Sequence, residues 1–433
     1  MRKTRYIGIA LLLAVFAAAW LCGIAAPARA ADAGTEFRRG IGISHVMAWA
    51  AIEPGRAWKF VFPPFAEVSA AQFAGELQTL RRTGFDSVRL AVDPGPFLQF
   101  QGSHRDVLDR MLIDRVKLIL AAGLSVVVDF HPSDMHPDYT AQALTAGLQT
   151  SLFQSYLRML QSTAALLGQF HTRRVALELM NEPPIEPALW QPMLEAAYAA
   201  ARDGSSTLLL VLEGGDEASA PALMTMRTAP FAGDPAVLYS FHYYEPYQFT
   251  HQGASWNPAR YLADVPYPAR ARPLDDSLTA TAASIAATDL SEPRKSLAYR
   301  DAQARLEDYR ASGFDAGTIA NGFEQIAHWA QSRGIPADRV MLGEFGARKT
   351  ALQLNGGRAR ERARWFHDVS QAAEAKGFGW AVWAYRGGGG FALAQSDTSD
   401  EIEPDIAEAL GLNFRAPRKA DALPAVRASQ PMP

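Results

Sequence analysis

Two glutamates stand out because each lies at the end of a short apolar run. Glu182 follows the run that ends at Met180, and Glu344 ends the run that begins at Arg339. Two carboxyl groups that face each other across a cleft are what cleavage of a glycosidic bond requires. One protonates the leaving oxygen, and the other attacks the anomeric carbon or activates water. A separation of about 5–5.5 Å predicts retention of configuration, and about 6.5–9.5 Å predicts inversion.

Other apolar runs also end in a side chain that can bind a ligand or transfer a proton. These side chains are Arg89, His131, Asn181, Glu213, His242, Tyr244 and Trp383. Polar residues scattered at random over a surface would not fall at the same position, the end of the run, in so many runs. We therefore predict that these residues, apart from Glu213, share one site with the two glutamates.

Each of these residues also has a structural interpretation. Glu182 could cap the helix that follows it, because an acidic side chain is favoured there. Arg89 could be the structural partner of Glu178, and His131 could be an ordinary core histidine or bind a metal together with His136. No firm ligand spacing supports a metal site, so none is predicted. Glu213 is interpreted as structural.

The apolar runs themselves predict buried parallel strands, which are nearly continuous in hydrophobic residues. The eight runs are Gly40–Ser44, Asp86–Val92, Leu124–Phe130, Arg174–Met180, Thr207–Leu212, Ala236–Phe241, Arg339–Gly343 and Gly379–Trp383. Amphipathic segments separate most of them, and Gly84, Gly123, Gly334 and Gly377 follow four segments where a C-terminal capping glycine belongs. Eight alternations of strand and helix predict an α/β fold, the (β/α)8 TIM barrel.

In this barrel, active sites lie at the carboxyl ends of the strands, which is where the polar residues fall. We expect one domain over residues 37–415. Residues 257–319, between the sixth and seventh strands, are predicted to form a long, elaborated loop rather than a second domain.

The ends of the chain differ from this domain. Residues 1–30 combine a basic start, an apolar stretch and Ala28-Arg29-Ala30, which is typical of a cleaved signal peptide. We expect an exported protein, periplasmic or secreted; the alternative is an uncleaved membrane anchor, because the stretch is long. Residues 416–433 are rich in Ala, Pro and Arg and are predicted to be a disordered tail.

Composition narrows the classes of protein. With 48% hydrophobic and 20% charged residues, the 433-residue chain is an ordinary globular protein rather than a disordered or polytopic membrane protein. The net charge is −3 and no long basic run occurs, which argues against a nucleic-acid partner. The single cysteine, Cys22, excludes an internal disulfide and a cysteine-based zinc site.

Four motifs in order along the chain resemble glycoside hydrolase family 5, the family of cellulase-type bacterial endoglucanases. Val175–Pro183 (VALELMNEP) is similar to the acid/base strand and Met341–Gly346 (MLGEFG) to the nucleophile strand. Ser240–Tyr244 (SFHYY), followed by Phe249–Trp256, resembles the sixth-strand region, and Trp380–Trp383 (WAVW) the eighth-strand ending. The resemblance extends from about residue 40 to residue 394.

The resemblance implies a role for each matching residue. Glu182 would be the general acid and then the general base, and Glu344 the nucleophile. Asn181 would hydrogen-bond the sugar 2-hydroxyl, and Arg89 and Tyr244 would keep Glu344 ionised and aimed. The remaining residues would contact the sugar: His131 and His242 line the cleavage subsite, Trp383 stacks beneath the ring, and Trp256 extends this platform.

From the resemblance we expect a monomeric, retaining endo-β-1,4-glucanase that acts on a polysaccharide or oligosaccharide without a metal or cofactor. Within the enzyme class, the alternatives are a β-mannanase, a β-1,3-glucanase or a transglycosylase that acts on exopolysaccharide. From other classes, the alternatives are a non-catalytic carbohydrate-binding barrel and a metal-dependent barrel hydrolase.

Overall fold

A computed structural model describes residues 36–55, 58–349, 357–387, 390–396 and 399–412. The predicted signal peptide at residues 1–30 and the predicted tail at residues 416–433 lie outside the described residues. Within the described residues, no helix is both long and apolar enough to span a bilayer.

Eight parallel strands pair in chain order, and the eighth pairs with the first, so that the sheet closes into a barrel. The strands are β1 (Arg39–Met47), β2 (Ser87–Val92), β3 (Ser125–Phe130), β4 (Val175–Glu178), β5 (Leu209–Glu213), β6 (Val237–Tyr243), β7 (Val340–Phe345) and β8 (Gly379–Val382). Every residue of β2 to β7 is buried, as expected for strands covered on both faces. The predicted (β/α)8 barrel is confirmed.

Helices connect the strands and cover the barrel. In the described residues they are α1 (Ala70–Thr83), α2 (Pro94–Gln99), α3 (Ser103–Ala121), α4 (Ala141–Leu144), α5 (Ser151–Gly168), α6 (Pro187–Gly204), α7 (Gly215–Ala218), α8 (Ala220–Thr225), α9 (Tyr247–Thr250), α10 (Leu274–Ala286), α11 (Glu292–Ser312), α12 (Ala316–Ser332), α13 (Gly357–Ala375) and α14 (Pro404–Ala409). Short 3₁₀ turns occur at Pro137–Tyr139, Ala229–Phe231 and Ala337–Arg339. Gly84 ends α1 in the left-handed conformation with φ 114°, which confirms its predicted capping position.

The segment 257–319 is more regular than the predicted loop. Most of it forms the helices α10 and α11, and α12 already begins at Ala316 rather than at Phe323. Periodicity did not reveal α11 because its 21 residues are strongly polar and bury few side chains, among them Leu306 and Tyr309.

This excursion is attached to the barrel by specific contacts. The hydroxyl of Tyr267 donates to Asp368 of α13 at 2.8 Å, and Arg272 pairs with Glu361 of the same helix at 2.8 Å. The hydroxyl of Tyr309 donates to the carbonyl of Pro266 at 2.8 Å. The first two contacts fix the excursion against α13, and the third ties α11 to the segment before α10.

Candidate active site

The two predicted glutamates meet at the carboxyl end of the barrel. An oxygen of Glu182, just after β4, lies within 4.8 Å of an oxygen of Glu344 on β7. The Glu182 side chain is 33% exposed, whereas Glu344 is 5% exposed. The spacing is close to the separation of about 5–5.5 Å that goes with a retaining mechanism.

The chain holds Glu182 in an unusual backbone conformation. Strand β4 ends at Glu178, and the amide of Asn181 still donates to the carbonyl of Phe130 in β3 at 2.9 Å. Glu182 then adopts a positive φ of 46°, and its amide donates to the carboxylate of Glu213 at 2.9 Å. Non-glycine residues with positive φ are strained and cluster at functional sites, where the surrounding structure imposes them.

Two donors bind the two oxygens of Glu344. Nη1 of Arg89 donates to Oε2 at 2.7 Å, and the hydroxyl of Tyr244 donates to Oε1 at 2.5 Å. Burial raises the pKa of Glu344, and the nearby carboxylate of Glu182 adds to the rise, against the lowering effect of His242 and Arg89. Arg89 therefore lowers the pKa of Glu344, as expected, but the effect of burial on that pKa is larger.

Arg89 is the centre of a buried network and fulfils both interpretations given to it. Besides Glu344, its guanidinium donates to both oxygens of Glu178, at 2.9 and 2.6 Å, and to Oδ1 of Asn181 at 2.7 Å. Asp129 lies 3.1 Å away. Arg89 is 1% exposed, so these contacts take the place of water around its charge.

His131 and Trp383 form one wall of the site. Their rings are parallel, with centroids 5.2 Å apart, and the Trp49 ring makes a T-shaped contact with His131, with centroids 6.4 Å apart. Nδ1 of His131 lies 2.9 Å from Asp129, which raises the pKa of His131 although burial opposes the charged form. An aromatic face suits the apolar C–H face of a sugar ring.

His242 lies between the half-buried Glu182 and the buried Glu213. Nδ1 lies 2.7 Å from Oε1 of Glu182, and Nε2 lies 2.8 Å from Oε1 of Glu213. The second contact is an ion pair rather than a well-aligned hydrogen bond. Burial opposes the charge on His242, but Glu213 and Glu344 raise its pKa well above the usual range. Glu213, 2% exposed, thus belongs to the site's charge network.

Trp256 is the predicted site residue that the structure leaves apart from the others. It is 61% exposed on the loop after β6. Over the described ranges, no ring contact or hydrogen bond joins Trp256 to the other predicted site residues. Its role as a sugar platform stays a prediction.

The structure also adds residues that sequence reasoning did not include in the site. Asp129, Glu178 and Glu213 are buried acids that contact Arg89, His131 or His242. The available signal was an acidic residue inside or at the end of an apolar strand, which is costly unless it is paired.

Ligand atoms of two trios lie close enough for a metal ion: Glu178, Glu213 and His242, and Glu182, His242 and Glu344. Both trios depend on His242, and both nitrogens of its ring already contact carboxylates, those of Glu182 and Glu213. The suggested pair of His131 and His136 is not assembled either, since Nε2 of His136 lies 2.6 Å from the main-chain carbonyl of Trp58.

Comparisons with known proteins agree with this geometry. The profile of the family Cellulase (glycosyl hydrolase family 5) matches residues 75–389. Endoglucanase 3 of Fibrobacter succinogenes is 24% identical over 336 residues, which cover 72% of this chain and 46% of that protein. Cellodextrinase A of Ruminococcus flavefaciens is 28% identical over 187 residues, 42% of this chain and 54% of that protein. The chain therefore spans about half the length of these relatives.

Solved structures share the fold. A structure described as an endoglucanase superposes with a TM-score of 0.60 at 20% identity, over 87% of this chain and 98% of that one. Endoglucanase Cel5A of Thermotoga maritima gives a TM-score of 0.59 at 18% identity, over 87% and 98%. With a family profile that covers most of the chain and a barrel that carries its motifs on the matching strands, the chain belongs to glycosyl hydrolase family 5.

Proposed function

We propose that this chain is a retaining endo-β-1,4-glucanase that cleaves β-glucan with two glutamates. The observation that carries the proposal is the approach of the Glu182 and Glu344 carboxylates to within 4.8 Å at the mouth of one barrel. This approach favours the separation of about 5–5.5 Å found in retaining enzymes over the about 6.5–9.5 Å that inverting enzymes need to hold the attacking water.

In the first half of the reaction, Glu344 attacks the anomeric carbon while protonated Glu182 gives its proton to the leaving glycosidic oxygen. The electron pair of the broken C–O bond stays on that oxygen, and a covalent glycosyl ester forms on Glu344. In the second half, Glu182, now ionised, takes a proton from water as the water attacks the same carbon, and Glu344 leaves. Two inversions give net retention.

The neighbouring residues support these roles. Arg89 and Tyr244 hold separate oxygens of Glu344, so the carboxylate is aimed and its negative charge is stabilised. Asn181, positioned by Arg89, would hydrogen-bond the 2-hydroxyl of the sugar. Trp383, packed in parallel against His131, would form the platform for the sugar in the cleavage subsite.

The substrate assignment rests on sequence similarity to named relatives. Relatives carry the names endoglucanase and cellodextrinase, which indicate action on β-glucans. Measuring reducing ends from the purified protein on carboxymethylcellulose, barley β-glucan, β-1,3-glucan and β-mannan tests it. Cleavage of only mannan or only β-1,3-glucan would refute the linkage, and binding without cleavage would favour the carbohydrate-binding barrel.

Two variants test the roles of the glutamates. Glu344→Gln removes the ionised nucleophile in a nearly isosteric way, so we expect turnover to vanish while the fold remains. Glu182→Ala should lose less activity on aryl glycosides with good leaving groups, and azide should restore part of the rate. Proton NMR should show the β-anomer as the first product of the wild type. A first-formed α-anomer, or wild-type turnover by Glu344→Gln, would contradict the mechanism.

Export is also proposed, on the sequence of residues 1–30 alone, as is a monomeric state. Amino-terminal sequencing of the protein from the periplasm or medium should show a start at Ala31. A membrane-bound protein that starts at Met1 would instead support the uncleaved anchor. Light scattering measures the oligomeric state.

A further inference from the structure

The buried carboxylate of Glu213 contacts both the main chain of Glu182 and His242, the residue next to the Glu182 side chain. Its Oε2 accepts the main-chain N–H of Glu182 at 2.9 Å, and its Oε1 lies 2.8 Å from Nε2 of His242. The other nitrogen of that imidazole lies 2.7 Å from Oε1 of Glu182. One carboxylate thus closes a ring of contacts through the backbone and the side chain of the same residue.

This ring matters because Glu182 has a backbone conformation that a non-glycine residue avoids, with φ 46°. The hydrogen bond from its amide to Glu213 is one of the contacts that hold this conformation. Without it, the main-chain N–H of Glu182 would lose its partner, and only the contact of its carboxyl group with His242 would remain of the two contacts that hold Glu182 in place.

The position of Glu213 is itself well determined. Its main-chain carbonyl accepts from Nε1 of Trp190 at 2.9 Å, and the hydroxyl of Ser240 donates to Oε1 at 3.2 Å. Gly343, on the neighbouring strand β7, leaves the space that this layer needs, because a Cβ there would lie 2.2 Å from the Ser240 hydroxyl.

We propose that Glu213 is a positioning residue for the acid/base: it fixes the backbone of Glu182 and keeps His242 charged and pointed at the Glu182 carboxyl group. This inference rests on the role of Glu182 in the proposed function. The charge of Glu213 is available for this task because, although burial opposes ionisation, His242 lowers the pKa of Glu213 to about 2.

Replacing Glu213 with Gln removes that negative charge at nearly constant shape. His242 then loses its buried counter-ion, so the pKa of His242 falls and less positive charge remains next to Glu182 and close to Glu344. The loss of this positive charge raises the pKa of Glu344 further, because an opposite charge at this range lowers a carboxyl pKa.

Other groups also face this assembly and are unchanged by the substitution. They are Arg89 from β2, Glu178 from β4, Glu217 from α7, Tyr244, Tyr247 and His251 from the segment after β6, and Glu344 from β7. A shift of the pH profile can therefore be assigned to the pair of Glu213 and His242.

The test is the pH dependence of kcat/KM for soluble β-glucan with Glu213→Gln and Glu213→Asp. In Glu213→Gln we expect the acid limb of the profile, which reports ionisation of Glu344, to move to higher pH by about one pH unit. At the optimum, kcat/KM should fall about 10- to 100-fold, the range that misplacement of a catalytic group produces. In Glu213→Asp, which keeps the charge but is one methylene shorter, the rate should fall while the limbs stay in place.

The matched control is Glu76→Gln. Glu76 is another buried glutamate; it lies on α1, and its carboxylate is 2.9 Å from Nε2 of His45 on β1. This variant should leave both limbs unmoved. An unshifted acid limb in folded Glu213→Gln, or a wild-type rate in Glu213→Asp, would overturn the inference. The proposed function fails separately, if the wild type cleaves no β-glycan or if azide does not rescue Glu182→Ala.

Discussion

The hydroxyl of Tyr244 provides a direct test of how the nucleophile is held. It donates to Oε1 of Glu344 at 2.5 Å, while Arg89 occupies Oε2, and Tyr244 is 6% exposed. Tyr244→Phe removes this one hydrogen bond and keeps the ring packed against Phe391 and His251. The variant therefore separates the hydrogen bond from the packing.

The size of the effect follows from the strength of the bond. A hydrogen bond to a charged group contributes about 1.5–3 kcal/mol. Because 1.36 kcal/mol corresponds to one pKa unit, its loss should raise the pKa of Glu344 by about one to two units. The sign is upward because the hydroxyl stabilises the ionised carboxylate.

The assay is the pH profile of kcat/KM on a soluble β-glucan. The acid limb, which reports ionisation of the nucleophile, should move up by about one to two pH units. At a pH below the new limb, the rate should fall about tenfold for each unit of the shift.

A matched control is Tyr309→Phe, which removes a buried hydroxyl that donates to the carbonyl of Pro266, away from the site. It should leave the profile unchanged and lower the free energy of unfolding by about 1 kcal/mol. If Tyr244→Phe keeps the acid limb of the wild type, Tyr244 does not hold Glu344 ionised, and the reasoning is refuted.

Two further substitutions test the buried layer beneath the glutamates. Arg89→Lys keeps the positive charge, but a lysine cannot donate to Glu178 and Glu344 at the same time as the guanidinium does. We expect the free energy of unfolding, measured in urea, to fall by about 3 kcal/mol, the lower end of the cost of breaking a buried ion pair. Turnover should also be lost. Unchanged stability would show that the guanidinium is not required. Gly343→Ala places a Cβ 2.2 Å from the hydroxyl of Ser240, and we expect a loss of about 1–3 kcal/mol from overpacking, measured in the same way. A fully stable Gly343→Ala variant would show that β6 and β7 can separate without cost.

The sequence determined the barrel and the outline of its site. Buried parallel strands must be apolar throughout, so each strand appeared as a continuous run, and a polar residue at its end was visible against that background. Glu182 and Glu344, 162 positions apart, could be paired because the fold places all strand ends at one mouth. The helices of 257–319 were less predictable, because α11 has a polar surface nearly all round and its helical period carries little signal.

Only the tertiary structure decided how the charges are shared. The sequence allowed Arg89 to serve either Glu178 or the active site, and the barrel interior brings both within reach of one guanidinium. Glu213 was interpreted as structural, yet the closure of β5 against β6 places it on the amide of Glu182 and on His242. Such contacts depend on register and on distances of a few ångströms between strands. A one-dimensional pattern records which side chains are polar, but it does not record which atoms they meet.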